Sequence, residues 1–216
     1  MLPIGDDDSA RRTFPVVTLI LVIVNAIVFL IELSAGDAFI ERWAFVPARF
    51  LANPVSEFLT LFTSMFMHGG WLHLGSNMLY LWIFGDNVED RFGHVLYLIF
   101  YLVCGIAATF AQLLLNMNSN VPNLGASGAI AGVLGAYVLM FPGRRVNVLM
   151  GRAVTATSAL VVIGLWFVIQ LFSLGQITAT SQTGGGVAYM AHVGGFIAGL
   201  ALAYLLGGTR KSLPAR

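Results

Sequence analysis

The feature that most constrains this fold is a series of six apolar segments separated by shorter polar or glycine-rich stretches. A membrane-spanning helix needs about 20 predominantly apolar residues, and charged residues make up only 10% of this chain. The sequence therefore predicts an all-α membrane protein, built as a bundle of six transmembrane helices. The predicted segments are residues 14–34, 71–85, 94–115, 127–141, 154–174 and 187–206.

Lysine and arginine predict how the bundle is oriented, because cytoplasmic loops carry an excess of these residues. With a cytoplasmic N-terminus, Arg42 and Arg49 are the only two of the 11 basic residues that fall outside. Both termini are then cytoplasmic tails, at 1–13 and 207–216, flanking one membrane domain at 14–206. The basic residues on the inner side are Arg11, Arg12, Arg91, Arg144, Arg145, Arg152, Arg210, Lys211 and Arg216.

The stretch between the first two helices is the longest predicted loop. Residues 35–70 lie outside in this orientation and contain phenylalanine, tryptophan and leucine throughout. Helical periodicity within the stretch predicts a partly helical outer loop that rests in the membrane interface. We expect a multi-pass integral membrane protein of a bacterial inner (plasma) membrane.

The fourth segment is short for a membrane span and begins with a serine. Residues 127–141 form a helix only about 22 Å long, whereas the hydrocarbon core is about 30 Å thick. Pro142-Gly143 and the arginines that follow hold the inner end at the cytoplasmic surface. Ser127 is therefore predicted to lie below the outer surface, at the floor of a cavity. Gly128 and Gly132 favour a plain packing role for this serine when the segment is considered alone.

The sixth segment contributes a histidine at a similar predicted depth. His192 lies near the outer end of that helix, and a histidine inside a membrane span is a functional hypothesis by default. Gly195 and Gly199 allow close approach of the fourth helix. A serine bonded to a histidine is the minimal activated nucleophile. No aspartate or glutamate follows Asp90, which favours a Ser–His dyad over a triad with a carboxylate.

The second segment supplies further polar side chains. His73 and Asn77 are four residues apart and share one helical face. Acyl transfer needs neutral donors directed at a developing oxyanion, and the backbone N–H of Ser127 adds another donor at a helix start. His68 is instead predicted to satisfy polar contacts in the interface.

Three motifs in this order resemble those of the rhomboid intramembrane serine proteases. They are "HLGSN" at His73–Asn77, "GASGAIAG" around Ser127 and "AHVGG" around His192. The resemblance covers about residues 14–206. It implies that Ser127 is the nucleophile and His192 the general base, with His73 and Asn77 lining the oxyanion site beside the Ser127 N–H.

The resemblance also implies structural roles for Glu89 and Arg91 at the end of the second helix. The chain departs from the family pattern at two other places. An aromatic residue is expected one turn after the nucleophile, where this chain has Ala131, so the imidazole must be held in another way. A Trp-Arg pair is expected after "EF" in the outer loop, where Leu59 and Thr60 stand.

The expected activity is that of a serine endopeptidase that cleaves single-pass transmembrane proteins near the outer membrane boundary through an acyl-enzyme. The lipid bilayer is its medium, and no metal, other cofactor or nucleic acid is expected. The sequence has no HExxH motif. The resemblance implies lateral substrate entry between the second and fifth helices, with Trp82, Trp166 and Phe167 near the gate.

Three other classes of protein also place polar groups inside a membrane. A transporter or channel would more naturally carry buried charges or repeated broken helices, and the sequence has no internal repeat. A b-type haem protein could use His68, His73 and His192 as axial ligands. A proteolytically inactive relative should lack the serine or the histidine, and this chain has both.

Overall fold

The computed structural model describes residues 2–7, 9–180 and 188–208. The basic residues predicted for the C-terminal tail, Arg210, Lys211 and Arg216, lie outside the described residues. The same holds for residues 181–186, half of the polar stretch between the fifth and sixth predicted helices.

Apolar helices dominate the described part of the chain. Their bounds follow the predicted segments closely, except that the second helix continues to residue 92 and the fifth extends from residue 159 to residue 180. In chain order the helices are α1 (Val16–Ala35), α2 (Asp37–Trp43), α3 (Pro47–Ala52), α4 (Pro54–Glu57), α5 (Thr60–Thr63), α6 (Trp71–Phe92), α7 (His94–Leu115), α8 (Ser127–Met140), α9 (Ala159–Thr180) and α10 (Tyr189–Leu205).

Three helices are long and apolar enough to cross a membrane by length and composition: Val16–Ala35, His94–Leu115 and Ala159–Gln176. Helices α8 and α10 are apolar but shorter. Helix α6 has spanning length, but its last turns carry four charged residues, Asp86, Glu89, Asp90 and Arg91. The chain is thus a mostly helical membrane protein.

A small antiparallel sheet was not predicted, and the expectation of an all-α fold is wrong on this point. Its strands are β1 (Leu2–Asp6), β2 (Arg145–Met150) and β3 (Ala153–Ser158), in the order β1-β2-β3. Strands β2 and β3 form a hairpin whose two-residue loop begins with Gly151, at φ +63°, a conformation that suits glycine in tight hairpins. Strand β2 lies between the fourth and fifth predicted segments, whereas most of β3 lies in the predicted fifth segment, so the helix prediction is wrong for residues 154–158.

The segment between α1 and α6 is partly helical, as predicted. It contains α2 to α5 and a 3-10 helix at Ser64–Phe66. Arg49 ties these pieces together: its Nε donates to Glu57 Oε2 at 2.7 Å and its Nη2 to the Ala44 carbonyl at 2.7 Å. This arginine anchors the segment although the family's Trp-Arg pair is absent at Leu59 and Thr60.

Glu89 joins α6 to the start of α1. It is fully buried, and its carboxylate accepts hydrogen bonds from the backbone N–H groups of Val17 and Thr18 at 2.8 and 2.7 Å. The Thr18 hydroxyl donates to it as well, at 2.7 Å, and His94 Nδ1 lies 2.5 Å from it. A helix start leaves N–H groups without intrahelical partners, so Glu89 has the structural role that the resemblance implies.

Helix α8 is the centre of the bundle. Every residue from Gly128 to Tyr137 is buried, because α6, α7 and α10 all pack around it. The free thiol of Cys104 on α7 is buried against it. Since α8 begins at Ser127 and ends near β2, it separates a Ser127 end of the molecule from a sheet end.

Candidate active site

Ser127 and His192 are in hydrogen-bonding contact. Ser127 is the first residue of α8, His192 lies in the first turn of α10, and Ser127 Oγ is 2.8 Å from His192 Nε2. His192 is buried, whereas Ser127 is partly accessible. The two side chains thus make the contact that the sequence predicts.

Glycines let the two helices approach closely enough for this contact. A Cβ added to Gly195 on α10 would lie 2.1 Å from the Gly128 carbonyl oxygen on α8, and one added to Gly199 would lie 2.1 Å from the Gly132 carbonyl oxygen. Such distances are impossible for real side chains, so only glycine permits this spacing. The predicted role of these glycines is confirmed.

The backbone before Ser127 is shaped by a third glycine. Gly125 has φ +129°, and its N–H donates to the Ser64 carbonyl at 2.9 Å. A Cβ at this position would lie 2.9 Å from the His73 ring and 3.7 Å from Ser127 Oγ. The space between the imidazole of His73 and the serine hydroxyl is therefore open because residue 125 has no side chain.

Both nitrogens of the His192 ring have partners. Its Nδ1 lies 2.8 Å from Gln170 Oε1 on α9, and the indole of Trp166 lies beside the ring, with 5.7 Å between the ring centroids. Tyr189 approaches edge-on, at 6.3 Å. These contacts hold the imidazole in place of the aromatic residue that the family has at Ala131.

Gln170 is the site residue that the sequence interpretation missed. It is the first polar side chain in the apolar run of α9, where Ser173 and Gln176 follow it, and it is only 7% exposed. An uncharged polar residue in a membrane helix often bonds to a neighbouring helix. That signal was present in the sequence, but it does not say which neighbour the side chain meets.

His73 and Asn77 lie on α6, on the side of the bundle that carries the dyad. His73 Nδ1 accepts a hydrogen bond from the Gly69 N–H at 3.3 Å, and its Cε1 and Nε2 edge faces Gly125 next to Ser127. Asn77 is 7% exposed, and its buried Nδ2 finds no hydrogen-bond partner among the described residues. A buried amide donor without a partner is costly and calls for an explanation.

His68 lies behind His73 rather than at the dyad. The two rings meet edge to face with 5.0 Å between their centroids, and the His68 backbone N–H donates to Glu32 Oε2 at 3.0 Å. Burial lowers the pKa of His68 to about 4. A haem site shared with His192 is disfavoured, because both nitrogens of His192 already face Ser127 and Gln170.

A cavity whose lining includes several polar side chains opens beside Ser127. Its volume is about 40 Å³, which is enough to hold water. One wall contains the Gln112 side chain, whose Oε1 accepts a hydrogen bond from the Ala191 N–H at 3.2 Å. Ser64, Thr109 and Asn123 add further polar groups. Ser127 therefore borders a small cavity in which these polar groups stand among apolar side chains.

The three tryptophan and phenylalanine residues assigned to a gate occupy different environments. Trp82 on α6 is 48% exposed. Phe167 on α9 stacks on Phe196 of α10 with 4.2 Å between ring centroids, and Trp166 contacts both His192 and Phe196. Two of the three thus line the interface between α9 and α10, on the side of the dyad.

Comparison with known proteins agrees with this geometry. A family model described as the Rhomboid domain matches residues 55–209, which includes His73, Asn77, Ser127, Gln170 and His192. The chain belongs to the rhomboid family. Rhomboid proteins are helical membrane proteins, and the family is one of intramembrane serine proteases.

Individual rhomboid relatives match most of the chain. It is 31% identical over 175 residues to the rhomboid protease GluP of Bacillus subtilis, covering 81% of this chain and 32% of GluP. It is 26% identical over 182 residues to rhomboid protein 1, mitochondrial, of Saccharomyces cerevisiae, covering 82% and 49%. Rhomboid-like protein 11, chloroplastic, of Arabidopsis thaliana is 29% identical over 151 residues, covering 67% and 51%. The chain thus spans between about a third and half of the length of these relatives.

Proposed function

We propose that this protein is an intramembrane serine endopeptidase that cleaves transmembrane proteins near the outer membrane boundary, using Ser127 and His192 as a catalytic dyad. The observation that carries the proposal is the 2.8 Å contact between Ser127 Oγ and His192 Nε2, beside a cavity lined in part by polar side chains. Some rhomboid-like proteins are inactive. The presence of both dyad residues in contact favours an active member.

The dyad supplies the nucleophile and the base. His192 accepts the proton of the Ser127 hydroxyl through Nε2 while Oγ attacks the carbonyl carbon of the scissile peptide bond. The protonated imidazole then donates this proton to the leaving amine, which departs as the new N-terminus. The other product stays esterified to Ser127 as an acyl-enzyme.

The negative charge on the carbonyl oxygen during attack needs donors that are already in position. The Ser127 N–H lies at the start of α8, where the helix leaves N–H groups free and its dipole favours negative charge. The free buried Nδ2 of Asn77 is a second donor. The His73 ring across Gly125 is a third. We infer that these three groups form the oxyanion site.

Hydrolysis of the acyl-enzyme needs water inside the bundle. The cavity beside Ser127 is bordered by Ser64, Thr109, Gln112 and Asn123, which are groups that bind water. In this proposal His192 activates a water from that cavity, and the same oxyanion site stabilises the second tetrahedral intermediate. The dyad then returns to its starting state.

The proposed topology has six membrane crossings, formed by α1, α6, α7, α8, α9 and α10, with both termini in the cytoplasm. The Ser127 end then faces outward, the segment between α1 and α6 is an outer loop, and the sheet end is cytoplasmic. The relatives include bacterial, mitochondrial and chloroplast proteins, so family membership alone does not select a membrane. A bacterial plasma membrane is our proposal.

The proposed substrates are single-pass transmembrane proteins that enter sideways between α6 and α9. The carbonyl groups of a helix are engaged in hydrogen bonds and shielded, so the cleaved stretch must become extended. Small or helix-breaking residues such as alanine, glycine or serine beside the cut favour this. Equal cleavage of a model substrate whose boundary residues are all changed to leucine would contradict this preference.

The central experiment replaces the dyad residues one at a time. Ser127→Ala and His192→Ala should each abolish cleavage of a model single-pass substrate in detergent or liposomes, because neither half of the dyad works alone. Product formation is followed by gel electrophoresis and mass spectrometry. Circular dichroism of each variant establishes that it folds.

The matched control is Ser34→Ala, which removes an exposed hydroxyl from α1, far along the chain from the dyad. This variant should cleave at the wild-type rate. Cleavage by Ser127→Ala at the wild-type rate would refute the proposed function.

A further inference from the structure

The dyad histidine is connected to a third helix through its second ring nitrogen. Ser127 is on α8, His192 on α10 and Gln170 on α9, and the two hydrogen bonds that link them are both 2.8 Å long. Gln170 and His192 are both buried. A buried polar pair in a membrane protein needs such bonds, since neither group has water as an alternative.

The orientation of the Gln170 amide decides which nitrogen of His192 carries a proton. Its Nε2 donates to the Trp166 carbonyl at 3.3 Å, one turn earlier on the same helix. An amide turned the other way would place its oxygen against that carbonyl oxygen, which is repulsive. Oε1 must therefore face His192, and an amide oxygen only accepts hydrogen bonds. The nitrogen that it faces, Nδ1, carries the hydrogen.

This protonation pattern is the one a general base requires. A neutral imidazole with its hydrogen on Nδ1 has its lone pair on Nε2, and Nε2 is the atom that faces Ser127 Oγ. The opposite tautomer would point an N–H at the serine hydroxyl and could not accept its proton. No acidic residue follows Asp90 in the sequence, so no carboxylate from α8, α9 or α10 is available for this task.

We propose that Gln170 is a positioning residue that selects the reactive tautomer of His192 and holds its ring toward Ser127. The proposal rests on the proposed protease function and adds to it. Gln170 does not touch the reacting atoms. It acts through His192, with Trp166 packed beside the same ring. The orientation of His192 therefore depends on the packing of α9 against α10.

The test combines two substitutions at residue 170. Gln170→Met keeps the length and volume of the side chain but removes the strong acceptor. Gln170→Glu keeps an acceptor oxygen in the same place. Gln170→Met should lower kcat about 10- to 100-fold, because a small loss of alignment is costly in an oriented pair. KM should stay close to wild type, and Gln170→Glu should recover a large part of the lost rate.

The matched control is Val168→Leu, an exposed apolar position on the same helix, which should leave kcat unchanged. A wild-type kcat for Gln170→Met would overturn the proposal. An equal fall in both Gln170 variants, with no rescue by glutamate, would also overturn it, because the loss would then reflect packing.

Nitrogen-15 NMR of histidine-labelled wild-type protein gives a readout that needs no activity. The protein has four histidines, and the His192 signals are assigned by their loss in His192→Asn. We expect Nδ1 protonated and Nε2 unprotonated in the wild type, with this preference lost in Gln170→Met. A wild-type signal with the proton on Nε2 would overturn the proposal. Cleavage by Ser127→Ala at the wild-type rate would refute the protease function. The NMR measurement would still show whether Gln170 selects the tautomer of His192.

Discussion

At the Ser127 end of α8 the helices pack closely because glycines lack side chains, whereas at the sheet end side-chain hydrogen bonds hold the elements together. Gly128 and Gly195 let two backbones touch beside the dyad. At the other end, Asp6 on β1 accepts hydrogen bonds from Asn87 Nδ2 at 2.9 Å and from the Tyr137 hydroxyl. Glu89 binds the start of α1 nearby.

This difference in packing suggests that the Ser127 end serves the proposed reaction and that the sheet end serves the stability of the fold. In the proposed protease the nucleophile and its base need a fixed separation, and close glycine packing sets it without filling the space that a substrate must enter. At the sheet end, charged and polar groups pair with one another instead. Mutations at the two ends should therefore affect activity and stability in different proportions.

The first prediction, with the greatest change in rate, concerns Asn77 at the Ser127 end. Asn77→Ala should lower kcat about 100- to 1,000-fold, the usual cost of losing one oxyanion donor. Thermal stability should hold or rise, because the Asn77 Nδ2 has no hydrogen-bond partner among the described residues. Initial cleavage rates and thermal unfolding are measured together. The control is the neighbouring Ser76→Ala, an exposed position. A large loss of stability with kcat preserved would contradict this role.

The second prediction adds a methyl group to the glycine contact. Gly195→Ala places a Cβ 2.1 Å from the Gly128 carbonyl oxygen, so α8 and α10 must move apart. We expect a loss of about 1–3 kcal/mol in unfolding free energy and about a 100-fold lower rate from misalignment of the dyad. Gly164→Ala on α9 is the matched control, because no atom lies within 4 Å of its added Cβ. Equal stability and equal rate in Gly195→Ala and Gly164→Ala would contradict a special role for close glycine packing at the Ser127 end.

The third prediction concerns the sheet end. Glu89→Gln replaces one acceptor oxygen by an amide donor that faces N–H groups of α1, so unfolding free energy should fall by about 3 kcal/mol. The rate per folded molecule should stay unchanged, since the dyad lies at the opposite end of α8. Denaturant unfolding and active-site titration separate the two quantities. Glu41→Gln, an exposed carboxylate on α2, is the control. A kcat reduced in step with stability would argue for coupling between the ends.

The fourth prediction concerns the hydrogen bond that joins strand β1 to helix α8, and its effect should be the weakest of the four. The hydrogen bond between the Tyr137 hydroxyl and Asp6 is removed in a double-mutant cycle with Asp6→Ala and Tyr137→Phe. The coupling energy should be about 1 kcal/mol, with no change in cleavage rate. A coupling energy near zero would mean that the hydrogen bond between Tyr137 and Asp6 does not stabilise the position of β1.

Most of the contact at the dyad was predictable from local patterns. Ser127 and His192 each stand near the outer start of an apolar run of known direction, so equal depth followed from helix length alone. The glycines at four-residue spacing indicated which helices touch. The oxyanion roles of His73 and Asn77 were proposed from their spacing and stay proposals.

Three features could not be predicted in this way. The pairing of Asp6 with Tyr137 joins residues 131 positions apart, and no local pattern encodes that distance. The sheet depends on β1 meeting a hairpin whose second strand continues directly into an apolar helix. The contact between Gln170 and His192 depends on how α9 is rotated about its own axis relative to α10.

The class of molecule, the apolar helices and the residue types available for chemistry follow from the sequence, because hydrophobic length and helical spacing are properties of a single segment. What holds the His192 imidazole, with alanine instead of an aromatic residue at position 131, follows only from the packing of the helices. That outcome depends on the relative rotation and separation of α8, α9 and α10. These quantities are set by the packing of the whole bundle, to which every helix contributes.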